Sequence, residues 1–270
     1  EHVVRYQMTA NDAVIPDFYI DIPVEVTSNA PNILNQPIVE EFDPDTFIEE
    51  PIIRAGVLIV DEETDWQVEV SCESDWELVA GSGEVLGNMD ADEMVRAFYK
   101  PEEMKYYFNR GKGLEKTSDY LRFVPEEENS ICTIENFDRR VTRDFTHPDN
   151  TFRNILEIRW NEKKDRTWMI NEVPMEYYLR GLAETSNYSH EEFQKALITI
   201  ARTYALYHWE RGTKRGPEHF TVTAYADDQV YNGYGQEQRA PRLTEAVEDT
   251  YGRIVTYDGR TAITPYFSRS

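Results

Sequence analysis

The sequence predicts an α+β fold, with strands before residue 170 and helices after it. Three short apolar runs at 51–60, 66–71 and 76–80 contain many valine, isoleucine and tryptophan residues, and Asp/Glu and Ser/Gly clusters separate them. This pattern is typical of strands in one small sheet. Two further runs, at 154–160 and 166–170, predict a hairpin that leads into the helical part.

The first strand predicted along the chain covers 18–26, where apolar and polar residues alternate. Pro23 lies inside this run, which places the strand at the edge of its sheet because proline donates no ladder hydrogen bond. Further along, 90–99 and 101–109 are each predicted to form a short helix, and 120–124 another strand.

Two helices are predicted between residues 174 and 212. The first begins just after Pro174, a residue that suits an opening turn, and its apolar stripe extends to Leu182. The second begins with a capping box formed by Ser189 and Glu192, and Gly212 ends it. A short polar turn joins the two helices, so the sequence predicts a helical hairpin packed on β-strands.

Charge is distributed unevenly along the chain, whose net charge is −23. Residues 1–52 contain eleven acidic and one basic side chain, whereas residues 171–270 have a net charge of only −3. We therefore predict three parts: an acidic N-terminal arm or linker at 1–51, a strand-rich region at 52–170 and a core at 171–270. Such acidity argues against nucleic acid as a partner and suits a solvated extracellular surface.

Only two cysteines occur, Cys72 and Cys132, and no metal-type spacing accompanies them. They either pair in an oxidising compartment or stay buried as free thiols, and the sequence favours free thiols. No window reaches the length of about 18 apolar residues that a membrane span needs. The chain opens at Glu1 rather than at methionine, so we expect a processed piece of a longer protein.

Several sequence blocks after residue 170 resemble the stage II sporulation protein D (SpoIID) family. NEVPMEYYLRGLAE at 171–184 and ALITIARTYALYH at 196–208 are similar to the family's NELPLEDYLRG and ARTYAL segments. DQVYNGY at 228–234 is similar to its CQVYxGY, and YFS at 266–268 to its AYFS. The blocks occur in the family's order over about a hundred residues.

The resemblance implies a lytic transglycosylase that acts on peptidoglycan glycan strands without a cofactor. Glu184 matches the family's catalytic glutamate by its place after the YLRG motif. A hydrolase usually needs two carboxylates, whereas one suffices here. The acid that protonates the leaving oxygen then takes a proton from the sugar's 6-hydroxyl and leaves a 1,6-anhydro end. Burial beside tyrosines is expected to raise the pKa of this acid.

The resemblance also implies a set of sugar-binding residues. Arg202 matches the arginine of ARTYAL, and two roles stay open for it: it binds substrate or tunes Glu184, or it is a buried strut between the two helices. His208 is expected to be a residue of the helix face rather than a ligand. The remaining residues implied to hold sugar are Gln229, Tyr231, Tyr257 and Arg260.

The chain departs from the family pattern at two places. Some relatives hold zinc with His and Cys near the position of Asp227 and Asp228, where this chain has neither. No metal site is therefore expected, and the two aspartates are predicted to form a solvated turn. The chain also stops at Ser270, before the family's Gly-Gly segment, so the predicted core is expected to lack its last part.

Three functional hypotheses follow from the sequence, all for a secreted or cell-surface protein. The first is the transglycosylase, with its groove between the strand-rich region and the core. The second is a non-catalytic module that binds peptidoglycan or enhances a separate cell-wall amidase. The third is a structural surface protein that self-associates through its acidic arm by strand addition.

Overall fold

The computed structural model describes residues 50–137 and 146–266, together with two N-terminal strands at 2–8 and 18–24. The chain divides into two compact units, Glu1–Phe47 and Ile48–Ser270. In the first unit, β1 (His2–Met8) pairs antiparallel with β2 (Phe18–Val24). This confirms the strand predicted at 18–26, while most of the predicted acidic arm lies outside the described residues.

A seven-stranded sheet forms the framework of the second unit. Its strands, in spatial order, are β15 (Val222–Thr223), β3 (Ile52–Ile59), β14 (Arg166–Pro174), β13 (Ile155–Asn161), β10 (Leu121–Pro125), β5 (Trp76–Ala80) and β6 (Val85–Met89). All neighbours are antiparallel except β15, which runs parallel to β3. The predicted strands at 51–60, 76–80 and 120–124 and the predicted hairpin are confirmed. The sheet takes strands from both sides of residue 170, and the predicted domain bounds stay predictions.

A second sheet contains six antiparallel strands, and two of them occupy segments that were predicted to be helical. Its strands, in spatial order, are β12 (Thr151–Arg153), β11 (Ile131–Ile134), β4 (Val68–Cys72), β7 (Val95–Lys100), β8 (Lys105–Asn109) and β9 (Leu114–Thr117). The helices predicted at 90–99 and 101–109 are wrong, since β7 and β8 occupy these segments. Cross-strand pairing decides the outcome: Phe98 lies opposite Tyr107, and their rings stack at 5.2 Å.

Side chains of both sheets belong to one continuous hydrophobic core. Trp76, Phe123 and Ile158 from the seven-stranded sheet join Val70 and Ala97 from the six-stranded sheet, and all five are fully buried. Buried positions alternate with less buried ones along β5 and at the start of β7, so one face of each strand is directed into this core. The α+β, strand-rich fold class is therefore confirmed.

A disulfide bond between Cys72 and Cys132 lies inside this core, so the preference for free thiols is wrong. The two residues are direct partners on the neighbouring strands β4 and β11, with Cα atoms 4.0 Å apart. Sequence spacing could not show this, because a sequence separation of 60 leaves the pairing of the two strands undetermined. Both cysteines are almost completely buried.

Reduction of this disulfide is expected to destabilise the protein by about 2–4 kcal/mol, because the cross-link restricts the unfolded chain. Urea unfolding with and without a thiol reductant measures the change. A variant with Cys72→Ser and Cys132→Ser serves as the control and should not respond to the reductant. An unchanged urea midpoint for the reduced wild type would contradict the expectation.

The described residues of this unit also form five α-helices: α1 (Val60–Glu63), α2 (Met175–Arg180), α3 (Glu191–Arg211), α4 (Gly233–Arg239) and α5 (Pro241–Asp249). Both helices predicted between 174 and 212 are present, although α2 ends before Leu182. The helical hairpin itself stays a prediction. Within the described residues, no helix combines the length and apolar character that crossing a membrane requires.

The start of α3 differs from the predicted capping box. His190 is the N-cap, and its Nδ1 accepts a hydrogen bond from the Glu192 amide at 3.2 Å. The Ser189 hydroxyl instead accepts a hydrogen bond from Thr185 at 2.8 Å, so it is engaged in the preceding turn. The predicted end is confirmed, since Gly212 has a left-handed backbone with φ of 59° and its amide bonds the His208 carbonyl.

Candidate functional site

Backbone pairing places Glu184 beside the loop at 227–232. After α2 ends, Leu182 forms a β-bridge with Tyr231. The Ala183 amide donates to the Val230 carbonyl at 2.8 Å, and the Asn232 amide donates to the Gly181 carbonyl at 2.9 Å. The chain therefore brings the Glu184 side chain to Val230, although 45 residues separate the two in sequence.

The same loop is attached to the seven-stranded sheet. The Tyr231 amide donates to the Ala224 carbonyl at 3.2 Å, and the Ala224 amide donates to the Gly56 carbonyl of β3 at 2.9 Å. The Tyr231 hydroxyl also donates to Oδ1 of Asn171 on β14, at 2.7 Å. Glu184 is thus held next to a loop that is itself bonded to two strands of the sheet.

Close packing beneath this segment requires a glycine at position 181. A Cβ atom there would lie 2.4 Å from the Tyr231 ring and 2.9 Å from the Gly233 carbonyl oxygen. The Tyr231 ring also packs on Tyr178 of α2, with centroids 4.8 Å apart. The YLRG motif therefore has a structural reason: its last residue lets the bridge approach the aromatic rings.

The Glu184 carboxyl is half-buried, and one of its oxygens is held by the protein. Oε1 accepts a hydrogen bond from the Val230 amide at 2.6 Å. Burial raises the pKa of the carboxyl, and this hydrogen bond opposes the rise only in part. Burial raises the pKa of the Tyr178 and Tyr266 phenols, and the nearby negative charge of Glu184 raises it further. Glu184 is therefore suited to hold a proton at higher pH than an ordinary glutamate.

A raised pKa makes stability depend on pH in a defined direction. The folded chain binds the Glu184 proton more tightly than the unfolded chain. The contribution of Glu184 to the free energy of unfolding therefore falls as pH rises from the unfolded pKa through the folded pKa. Glu184→Gln removes the titration. Urea unfolding between about pH 4 and about pH 8 should show the variant gaining stability relative to wild type as pH rises. A difference that stays constant or shrinks with pH would contradict the raised pKa.

Gln229 and Tyr231, both implied to hold sugar, are almost fully buried beside Glu184. The Gln229 Oε1 accepts from the Tyr178 hydroxyl at 2.9 Å, while its Nε2 donates to the Tyr266 hydroxyl at 2.9 Å. A sugar contact would require each side chain to leave its protein partners. Their predicted substrate contacts stay predictions, and the observed contacts position the loop around Glu184.

Arg202 has the contacts expected of a buried strut, one of its two predicted roles. Its guanidinium donates to both carboxylate oxygens of Glu176, from Nε at 2.8 Å and from Nη2 at 2.7 Å. Nη1 donates to the Arg253 carbonyl at 3.0 Å. Only 2 % of Arg202 is exposed. The pair joins α2 and α3 to the segment after α5, and a direct contact of Arg202 with substrate stays a prediction.

Tyr257 and Arg260 lie apart from this group, on the exposed hairpin of β16 (Thr256–Tyr257) and β17 (Arg260–Thr261). Tyr257 is 82 % exposed. Arg260 lines an open depression of about 550 Å³ between this hairpin and the end of α3. In the described part of the chain, no hydrogen bond or ion pair joins the hairpin to Glu184. The structure therefore does not connect these two residues to the other candidates.

The turn predicted at the two aspartates is present, but only Asp227 is solvated. Asp227 is exposed, but the Asp228 side chain is fully buried and forms ion pairs with Lys214 and Arg215. The prediction failed for Asp228 because these two cations are thirteen and fourteen residues away in sequence. Within the described ranges, no three His, Cys, Asp or Glu side chains form a group that could hold a metal ion. His208 packs on the Tyr204 ring of α3.

Sequence reasoning missed four residues of this region: Glu176, Lys214, Arg215 and Tyr266. Glu176 carried a usable signal, because a buried arginine in an apolar helix face requires an acidic partner. Tyr266 lies in the YFS block that resembles the family, but that block does not indicate its contact with Gln229. Lys214 and Arg215 reach the region through folding of the segment after α3, and nothing in their local sequence indicates that they contact Asp228.

Fold and site together define a strand-rich α+β domain with a half-buried glutamate, Glu184, whose pKa is raised by burial. Residues 163–257 match the family model of SpoIID, described as stage II sporulation protein, and the chain therefore carries a SpoIID domain. This domain suggests a sporulation-related cell-wall function. No match was found among curated proteins.

Proposed function

We propose that the protein is a peptidoglycan lytic transglycosylase in which Glu184 acts first as acid and then as base. The observation that carries the proposal is the environment of this carboxyl. It is half-buried, its pKa is raised by burial, and the Val230 amide fixes Oε1 at 2.6 Å. These are the properties that a general acid needs near neutral pH.

The reaction can proceed with this single group. Glu184 gives its proton to the glycosidic oxygen as the bond from that oxygen to the sugar's C1 breaks. The resulting carboxylate then takes the proton of the 6-hydroxyl on the same sugar while that oxygen bonds to C1. The proton count balances, Glu184 is regenerated in its acidic form, and no water enters. The Val230 hydrogen bond is strongest to the carboxylate formed between the two steps.

The state of the nearest loop carboxylate supports the single-acid chemistry. A hydrolase would need a second carboxylate as nucleophile or as base for water. Asp228 is two residues from Val230, but its side chain is fully buried and forms ion pairs with Lys214 and Arg215. A carboxylate neutralised in this way is suited to holding the loop rather than to activating water.

An extracellular location at the bacterial cell wall fits the disulfide and the surface charge. The Cys72–Cys132 bond is of a kind that persists in oxidising compartments. The net charge of −23 suits a solvated surface outside the cell. We therefore include secretion to the wall in the proposal, with peptidoglycan glycan strands as the partner.

A second candidate function is a module that binds glycan, or assists a cell-wall amidase, without cleaving. The burial of Arg202, Gln229 and Tyr231 favours it, because three of the implied sugar-binding side chains are occupied by protein partners. In this case Glu184 would be a structural acceptor for the Val230 amide.

Digestion of purified glycan strands stripped of stem peptides distinguishes the candidates, with mass spectrometry of the products. The transglycosylase should release fragments with 1,6-anhydro ends. Retention of uncut glycan on the immobilised protein would support the binding module instead. Reducing-ended fragments would mean hydrolysis and would overturn the single-acid mechanism.

A further inference from the structure

The Asp228 carboxylate is the most completely engaged acidic group of the candidate region. Its side chain is 0 % exposed. Oδ2 accepts from the Thr223 amide at 2.9 Å and from Nε of Arg215 at 2.9 Å. Oδ1 accepts from the Tyr204 hydroxyl at 3.0 Å and from Lys214. Burial alone would raise the pKa of this carboxyl, but its hydrogen bonds and the two cations lower it overall.

These contacts join three parts of the fold at one point. Thr223 belongs to β15, Tyr204 to α3, and Lys214 with Arg215 to the segment after α3. A buried carboxylate with two cationic partners and several donors resists displacement, because leaving any partner unpaired in the interior costs free energy. The backbone at residue 228 is therefore fixed relative to the sheet and to α3.

The fixed residue is only two positions from the group that holds Glu184. Gln229 follows it, and the side-chain amide of Gln229 is hydrogen-bonded to the Tyr178 and Tyr266 hydroxyls. Val230 comes next, and its backbone amide donates to Glu184 at 2.6 Å. A shift of the backbone at Asp228 would be transmitted through Gln229 to the Val230 amide. The exposed neighbour Asp227 also bonds Arg215 and Thr223 but has solvent on its other side.

We propose that Asp228, with Lys214 and Arg215, forms an ionic lock that positions the Glu184 acid through the Val230 amide. Asp228 is a positioning residue, since it acts only through Val230. The catalytic consequence rests on the proposed transglycosylase function, whereas the positioning of the amide does not. Loss of the lock should therefore change the position of the Val230 amide relative to Glu184. If the enzyme is active, it should also lower the turnover number.

The amide is observed directly by NMR of protein labelled with nitrogen-15 valine, with Val230 assigned by Val230→Ile. In wild type, the Val230 resonance should move as Glu184 titrates, because the amide donates to that carboxyl; Glu184→Gln should abolish the movement. Asp228→Asn should abolish or at least halve the movement. The matched control Asp227→Asn should retain it.

The second experiment measures the kinetics of glycan cleavage by the same variants. Asp228→Asn should lower kcat by about 10- to 100-fold with KM unchanged, since a misplacement of about 1 Å at a catalytic group costs up to about 100-fold. Asp227→Asn should stay near wild type. If wild type cleaves no glycan, the proposed function fails, while the Val230 resonance still tests the lock.

A folded Asp228→Asn whose Val230 resonance titrates like wild type would overturn the proposal, even with lowered thermal stability. If Asp228→Asn does not fold, Lys214→Gln replaces it, because this lysine is 31 % exposed and its loss leaves Arg215 on the carboxylate. Lys214→Gln should reduce the titration of Val230 in part. An unchanged titration in Lys214→Gln would then overturn the lock.

Discussion

Replacement of Glu184 by glutamine is expected to abolish glycan cleavage while the fold is retained. The amide oxygen of glutamine can still accept from Val230, but the side chain cannot give or take the proton that both steps require. General acid–base catalysis contributes about 100- to 10,000-fold, so activity should fall by at least this range. Product release from glycan strands, followed by mass spectrometry, measures the loss.

The matched control for this experiment is Glu192→Gln. Glu192 is a glutamate in the first turn of α3, its side chain is 74 % exposed, and it lies outside the Glu184 framework. The Glu192→Gln variant should retain wild-type activity. Activity of Glu184→Gln above about one hundredth of wild type would remove Glu184 from the acid–base role.

Replacement of Arg202 by methionine is expected to produce the largest loss of stability, about 3–5 kcal/mol, because it leaves Glu176 buried without its cation. Side-chain exposure of the pair is only 3 % and 9 %, so water cannot compensate. The change also removes the donor to the Arg253 carbonyl. Urea unfolding of the single variant measures the effect.

A double variant with Glu176→Leu and Arg202→Met tests the cause of that loss. It removes both charges, so it should be less destabilised than Arg202→Met alone. If Arg202→Met instead keeps wild-type stability and loses only activity, the strut is wrong and the substrate-binding or tuning role of Arg202 is supported.

The strands of the seven-stranded sheet were predictable because their sequences are strongly apolar and are separated by turn residues. Segments such as 76–80 and 155–161 carry this signal by themselves. The segments that became β7 and β8 do not, since their strand conformation depends on pairing with each other and with β4. Local propensity is weaker than such tertiary pairing.

The candidate site was predictable only where one short motif carries it. Glu184 could be identified from its place after YLRG, and Gln229 and Tyr231 from their motif. Their burial could not, because it depends on Tyr266 and Asn171, which lie far away in sequence. The prediction of free thiols at Cys72 and Cys132 was wrong for the same reason, since strand register brings the two residues together.

Digestion of glycan in oxygen-18 water is the decisive test of whether Glu184 cleaves the strand without water. Wild type should release fragments with 1,6-anhydro ends that contain no oxygen-18, because the sugar's own 6-hydroxyl supplies the new oxygen at C1. Reducing-ended fragments that carry oxygen-18 would contradict this mechanism, since they would show that water attacked the sugar.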